Sequence, residues 1–215
     1  MTKVGVVLSG CGVYDGSEIH ESALILYFLD RAGVEIICMA PDVNHYEVID
    51  HLTNETVLET RNVLVESARI ARGNIQKLES VKASHFDALI FPGGLGAAKN
   101  LCDFTEKGSD CTVNPEVERL VKETHEAKKP IGFVCISPVI AAKVLGATVT
   151  IGNDKDTAAA IEKMGGKHVI CRVDEIVIDE KNKVVSAPAY MLGPTISKVA
   201  LGIEKLVDKV LELTK

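Results

Sequence analysis

Three short stretches of this chain carry side chains and turns of the kind that enzymes use, and each directly follows a strand-like apolar run. One is Pro130-Ile-Gly-Phe-Val-Cys135-Ile-Ser-Pro138. The apolar run ends at Val134 and a helical pattern begins by Pro138, which puts Cys135 on a sharp strand-to-helix turn, the geometry of a nucleophile elbow. A thiol there stands at the positive end of a helix dipole, which favours the thiolate and predicts a lowered pKa. Cysteine is also among the most often buried residue types, so position alone leaves a structural thiol as the other reading.

A second stretch is Phe91-Pro-Gly-Gly-Leu-Gly-Ala-Ala-Lys-Asn-Leu101. Glycines at this point let the backbone turn closely and aim amide N–H groups into a cleft, so Gly93 and Gly94 are pocket candidates. The Gly94 amide together with that of Ile136 could form an oxyanion hole; a phosphate-binding or purely structural turn is the alternative.

The third stretch runs from Ser9 to Glu21. Its glycines, Gly10, Gly12 and Gly16, depart from the dinucleotide fingerprint spacing, and Asp15 and Glu18 would repel a pyrophosphate, so nucleotide binding is not expected. Glu21, in the first turn of the following helix, can point back toward Cys135. A carboxyl group beside a cysteine in a partly dry cleft tends to stay protonated and to donate a hydrogen bond to the thiolate. Helix-start acids complementing the dipole are the plainer reading of Glu21 and Glu18. Gly12 and Glu18 join the pocket candidates. His168, the one histidine after Cys135, is either a surface residue or a helper to the thiol. His45 and His51 fall in a polar loop, and His85 and His125 precede strands. No histidine has metal-ligand spacing, and no metal or other cofactor is expected.

These residues must be positioned by a regular frame. Apolar, β-branched runs at 4–8, 34–40, 87–91 and 130–134, with weaker ones at 147–151, 168–171, 175–178 and 183–187, alternate with helical patterns near 18–32, 60–72, 115–127, 137–145, 155–164 and 195–213. Continuous apolar strands are buried on both faces, as in a parallel sheet. Asn114-Pro115 reads as an N-cap followed by proline at the first helical position, and Gly33 and Gly73 stand just past helix ends. In the last helix Ile196, Val199, Ala200, Ile203, Leu206, Val207 and Val210 share one stripe. Val173 to Pro188, with 180–183 at its tip, reads as a β-hairpin beside the main sheet. The sum is one doubly wound α/β domain over 1–215, with helices on both faces of a mostly parallel sheet. Ligands bind beyond the carboxyl ends of such strands, after 8, 40, 91 and 134.

Bulk properties agree with an ordinary globular enzyme. The 215 residues are 47% hydrophobic and 25% charged, with a net charge of −6. A pI near 5.6 argues against a nucleic-acid partner or an anionic membrane surface. There is no tryptophan to stack on bases. Cysteines at 11, 38, 102, 111, 135 and 171 form no Cys-x-x-Cys pair and read as reduced intracellular thiols. No signal peptide and no apolar stretch of about 18 residues is visible, so the expected location is cytoplasmic, or mitochondrial if a leader has been removed.

The Gly-Phe-Val-Cys-Ile of 132–136, the Phe-Pro-Gly-Gly-Leu-Gly-Ala-Ala-Lys-Asn-Leu of 91–101 and the glutamate of the first helix resemble the DJ-1/PfpI superfamily of class I glutamine-amidotransferase-like proteins. Further blocks, LSGCGVYDGSEIHE (8–21), HLTNETVLETRNVLVESARIARG (51–73), GSDCTV (108–113) and VVSAPAYML (184–192), are similar to the ElbB branch and span nearly the whole chain. The resemblance implies a flavodoxin-like sandwich, usually a homodimer, with Cys135 as nucleophile, Glu21 as acid and an oxyanion hole from Gly94 and Ile136. The activity it implies is cofactor-free conversion of small 2-oxoaldehydes to 2-hydroxy acids, glyoxal to glycolate, with a small aldehyde as the partner molecule. Many superfamily members carry histidine or alanine after the cysteine. Ile136 departs from that pattern, removes one base and puts protease-like chemistry in doubt. A glutamine amidotransferase needs a late His-x-Glu pair, whereas His168 is followed by Val169-Ile170. A redox-sensing or chaperone-like stress protein with an oxidisable cysteine is the remaining alternative.

Overall fold

Apolar runs and helical stripes become elements in alternating order in the computed structural model, which describes residues 1–215. The first half contains β1 (Lys3–Val7), α1 (Ile19–Arg31), β2 (Glu35–Ala40), β3 (Val48–Asp50), β4 (Glu55–Val57), α2 (Val63–Ile70) and β5 (Gln76–Lys77). Next come β6 (Ala88–Phe91), α3 (Leu95–Lys99), α4 (Phe104–Lys107), α5 (Pro115–Glu126), β7 (Ile131–Val134) and α6 (Pro138–Leu145). The chain closes with β8 (Thr148–Val149), α7 (Lys155–Lys163), β9 (Lys167–His168), β10 (Val177–Asp179), β11 (Val184–Ala187) and α8 (Ile196–Glu212).

Seven strands form the main sheet in the order β10-β11-β7-β6-β1-β2-β5. All neighbours are parallel except β10 and β11. The strand order reverses between β1 and β6, the switch point at which doubly wound sheets open a crevice. Every residue of β6, β7 and β11 is buried, because helices cover both faces. α1 and α8 pack together on one side, and α5 and α6 on β7 on the other. Phe91 and Phe133, partners in the β6–β7 register, stack with ring centroids 4.8 Å apart. In α8 the expected stripe is fully buried at Val199, Ile203, Leu206, Val207 and Val210, while Ile196 at its first turn is 48% exposed. Asn114 caps α5 by accepting from Glu116 N and Val117 N, ahead of Pro115. No helix is long and apolar enough to cross a membrane.

The structure corrects several element boundaries. The hairpin expected beside the main sheet is part of it: β11 is a core strand pairing with β7, and only β10 is an edge. The runs at 147–151 and 168–171 shrink to a two-stranded patch, β8 with β9. Side chains replace strand partners there, since Thr148 N donates to Asp179, Thr150 N to Ser186 Oγ and Ile151 N to His168 Nε2. The polar loop at 42–60 holds the β3–β4 hairpin, and 95–107 contains the short helices α3 and α4.

Candidate active site

Cys135 follows β7 directly and holds φ at 62°, in the left-handed region that a non-glycine residue adopts at a cost of about 1–3 kcal/mol. Surrounding hydrogen bonds impose that turn. Cys135 N donates to Ala187 O at 2.9 Å. The buried Ser137 hydroxyl accepts from Val134 N at 2.8 Å and reaches the carbonyls of Phe91 at 3.0 Å and Val134 at 2.8 Å. The serine two positions after the thiol thus fastens the elbow to the end of β6.

Gly93 and Gly94 lie against this elbow. A Cβ on Gly93 would sit 2.3 Å from Cys135 Cβ and 2.5 Å from Glu21 Oε2, so no larger residue fits without displacing the site. Gly94 has φ 92°, and a Cβ on it would meet Glu18 N and Gly16 O at 2.3 Å. The close approach brings the Gly94 amide, with that of Ile136, near enough to the Cys135 sulfur to favour its thiolate.

Glu21 is fully buried. Its carboxyl accepts from Gly93 N at 3.0 Å and from Tyr190 N at 3.2 Å, and also pairs with the Cys135 thiol. Burial, followed by the nearby Glu18 charge, pushes Glu21 up to about 8; the Tyr190 amide, the thiol and the Gly93 amide oppose the rise. The carboxyl is therefore protonated at neutral pH, as expected for an acid held beside a thiol in a dry cleft.

The thiol departs from expectation. Cys135 is 8% exposed, and its pKa is raised well above the ordinary cysteine value. Burial is the largest cause and the Glu21 charge the next, outweighing the amides of Gly94 and Ile136. A helix start favours the thiolate only where solvent or a cation shares the work of solvating it, and this sulfur is nearly inaccessible with no cation acting on it. The first proton the pair loses belongs to Glu21; the resulting carboxylate then accepts the hydrogen bond of the thiol.

The sulfur opens into a pocket of about 440 Å³. Cys135, Gly94 and Ile136 line it with the apolar side chains of Val13, Leu95, Phe104 and Met191. Tyr190, Thr157 and the exposed Thr105 and Asp154 complete the lining. A larger hollow of about 560 Å³ lies at the amino ends of β1 and β2, bordered by Lys3, Glu35 and Asp87, at the opposite end of the sheet from the elbow.

Among the pocket candidates, Cys135, Gly94 and Ile136 line the cavity, and Gly93 and Glu21 buttress the sulfur from behind. Gly12, Glu18 and His168 are not part of the lining. Gly12 packs under His51, whose ring would contact a Cβ at 2.4 Å. Glu18 caps α1, its Oε2 accepting from Glu21 N at 2.6 Å, and so holds the helix turn that carries Glu21. His168 Nε2 accepts from Ile151 N at 3.3 Å in the β8–β9 patch. Sequence reasoning missed Ser137 and Tyr190. The serine had a local signal, being next to the proline that starts α6, whereas Tyr190 contributes a backbone amide that no residue type announces. No group of three or more His, Cys, Asp or Glu side chains is placed to hold a metal ion.

No protein-family model matches the sequence. The human glutamine amidotransferase-like class 1 domain-containing protein 3, mitochondrial, is 52% identical over 223 residues, covering 99% of this chain and 83% of that protein. The crystal structure of an isoprenoid biosynthesis protein with amidotransferase-like domain from Ehrlichia chaffeensis superposes with a TM-score of 0.93 at 42% identity, over 100% of both chains. A point mutant of Schizosaccharomyces pombe DJ-1 shares the fold at a TM-score of 0.58 and 21% identity, over 99% of this chain and 96% of that one.

Proposed function

The chain belongs to the class I glutamine amidotransferase-like proteins, and from that premise we propose that it is a cofactor-free glyoxalase of the ElbB type, converting small 2-oxoaldehydes to 2-hydroxy acids. The observation that carries this reading is the buried Cys135–Glu21 pair, packed against Gly93, with Gly94, Ile136 and the sulfur together lining an open pocket.

The groups present support the following sequence of steps. In its ionised form, the minority below its pKa of about 8, Glu21 takes the thiol proton as sulfur attacks the aldehyde carbon, and the amides of Gly94 and Ile136 receive the developing oxyanion. Glu21 returns the proton to give a neutral hemithioacetal. It then removes the hydrogen on the carbon bonded to sulfur, forming an ene-diol, and delivers a proton to the neighbouring carbon. The product of that transfer is a 2-hydroxy thioester. Water cleaves it to the 2-hydroxy acid and regenerates the thiol, so glyoxal and one water give glycolate with no net oxidation. A proton acceptor with a pKa of about 8 is well matched to taking and returning protons near neutrality.

A glutaminase is less well supported, because the residue on the sulfur is a glutamate and the His168 ring is engaged by Ile151. The name of the human relative favours a mitochondrial over a cytoplasmic location for this chain. A homodimer, as the resemblance implies, belongs to the same proposal and is checked by light scattering.

The test is glycolate formation from glyoxal by the parent chain and by Cys135→Ala and Cys135→Ser. Loss of turnover in both variants, with unchanged melting behaviour, is the expected result. Retention of parental turnover in either variant would reject the mechanism, and release of ammonia from glutamine by the parent would restore the amidotransferase reading.

A further inference from the structure

Glyoxal, two carbons and two oxygens, fills only a small part of the pocket in front of Cys135. The volume of about 440 Å³ falls within the roughly 300–1,000 Å³ of sites that enclose drug-sized ligands. Something other than the reacting carbonyl is therefore accommodated, and the lining states its chemistry. Val13, Leu95, Phe104, Ile136 and Met191 supply apolar side chains, and Tyr190 adds an aromatic one. No lysine, arginine or histidine lines the pocket.

The charges that are present are negative. Asp154 stands in the lining as the N-cap of α7, its Oδ1 accepting from Thr157 N at 2.8 Å. That bond is a cap, so the carboxylate is fixed in place by the helix it starts. Glu21 lies behind the sulfur and adds a second carboxyl whenever it is ionised. Of the cations close in sequence to the lining residues, Lys99 binds Glu47 at 2.6 Å and Tyr14 O at 2.9 Å, Lys107 binds Asp103 at 2.6 Å, and Lys155, next to Asp154, is exposed and outside the lining. His20 meets the Tyr190 hydroxyl at 2.9 Å and is itself outside the lining.

From this arrangement we propose that the pocket selects carbonyl compounds whose non-reacting end is apolar and uncharged, such as alkyl- and arylglyoxals, and excludes those that carry a carboxylate. Each buried methylene-sized group adds favourable transfer energy against the apolar wall. A carboxylate entering the same wall loses its hydration, finds no cation and faces Asp154. The product of the proposed reaction is itself a carboxylate, so the feature that rejects anionic substrates also expels the 2-hydroxy acid. The inference rests on the glyoxalase reading for its reaction, while the charge and polarity selection belongs to the cavity alone.

Two arms separate those layers. The first compares kcat/KM for glyoxal, methylglyoxal, phenylglyoxal and 4-carboxyphenylglyoxal. Phenylglyoxal is expected to exceed glyoxal by about tenfold or more, and the carboxylated analogue to fall well below phenylglyoxal. The second arm needs no turnover. Rates of Cys135 alkylation by iodoacetamide and iodoacetate, at an alkaline pH above 9 where its raised thiol begins to ionise, are followed by mass spectrometry and normalised to the same ratio for a small free thiol. A preference of about tenfold or more for the neutral reagent is expected. Asp154→Asn keeps the helix cap, since asparagine caps as well as aspartate, and removes the charge. It should narrow the preference by about threefold, the size of one screened unit charge. Equal normalised rates for the two reagents, no alkylation of Cys135 by either, or equal turnover of phenylglyoxal and its carboxylated analogue would each overturn the pocket assignment. If no 2-oxoaldehyde is turned over while iodoacetamide keeps its preference, the glyoxalase reading falls and the pocket selection stands. Cys135-dependent glyoxal turnover without any gain for phenylglyoxal overturns the selection and leaves the glyoxalase reading intact.

Discussion

Cys135 and Cys111 are both nearly inaccessible, at 8% and 2% exposure, yet they are tuned in opposite directions. Cys135 sits at a helix start, the place where a low pKa is expected, and burial drives its thiol up. Cys111 lies in the strap between residues 102 and 113, tied by the Cys102–Val113 bridge, and is drawn down to about 7. The causes are the neighbouring Cys102 thiol, which is itself raised and whose own hydrogen bond goes to Ala97 O, and, against the opposing effect of burial, the positive charge of Lys143. Cys111 also borders a surface hollow of about 330 Å³, whereas the same strap presents Phe104 and Thr105 to the pocket at Cys135. The comparison separates two properties that are often merged. A resting thiolate requires a donor and a cation; a catalytic thiol can instead be kept neutral and ionised on demand by a carboxylate beside it.

The most damaging change is expected at Gly93. Gly93→Ala would force its methyl group to within 2.3 Å of Cys135 Cβ and 2.5 Å of Glu21 Oε2. Turnover should vanish and the melting temperature should drop, while alkylation of Cys111 stays as it is. A Gly93→Ala variant with normal turnover would show that the elbow is not as tightly held as the contact implies.

Glu21→Gln comes next. Loss of the proton carrier should lower turnover by about 10²–10⁴-fold. Because the folded pKa of Glu21 is about 8, above the ordinary 4.5, the folded state holds this proton more tightly than the unfolded chain does. Its stability contribution is fully present below about pH 4.5 and is lost as pH rises through about 8. Denaturation across that window should therefore show a fall with pH in the parent chain and a flatter profile in Glu21→Gln. Equal slopes would mean that Glu21 is not buried as described.

Much of this site was legible before any fold was known, for definite reasons. The buried strands before Cys135, Gly93 and Glu21 are continuous apolar runs, and a doubly wound sheet sends all their carboxyl ends to one edge. Gly12 and His168 lie outside the lining because a loop's direction after leaving that edge is set by tertiary contacts such as His51 over Gly12 and Ile151 N to His168, while Glu18 is taken up by the local cap on α1. The raised thiol pKa was invisible for a related reason. Local sequence reports the helix dipole, while desolvation depends on how β11, Gly93 and Glu21 close over the sulfur. Cys102 and Cys111, nine residues apart, gave no motif at all; the hairpin-like path of 102–113 brings them together.

A direct measurement of the contrast is the pH dependence of alkylation by iodoacetamide at each cysteine. Cys111 should react with a midpoint of about 7, and Cys135 only as pH rises well beyond 9. Cys102→Ala removes the neighbouring thiol and should move the Cys111 midpoint up toward the ordinary value of 9.0, leaving Cys135 unchanged. A Cys111 midpoint that does not move would assign the lowering to Lys143 instead.

The smallest expected effect distinguishes the elbow's fastening from its chemistry. Ser137→Ala deletes a fully buried hydroxyl and leaves Val134 N and Phe91 O without that partner. Leaving buried backbone groups unpaired costs about 1–3 kcal/mol, so the chain should still fold at room temperature with a lowered midpoint of denaturation. The left-handed turn at Cys135 is then held mainly by its own amide bond to Ala187 O. A looser turn admits water to the sulfur and weakens the burial that raises its pKa. The Cys135 alkylation midpoint should consequently shift toward 9.0 while that of Cys111 stays put. An unchanged Cys135 profile in a destabilised Ser137→Ala chain would show that Gly93 and Glu21 alone seal the thiol, and that the serine serves only to join β7 to β6.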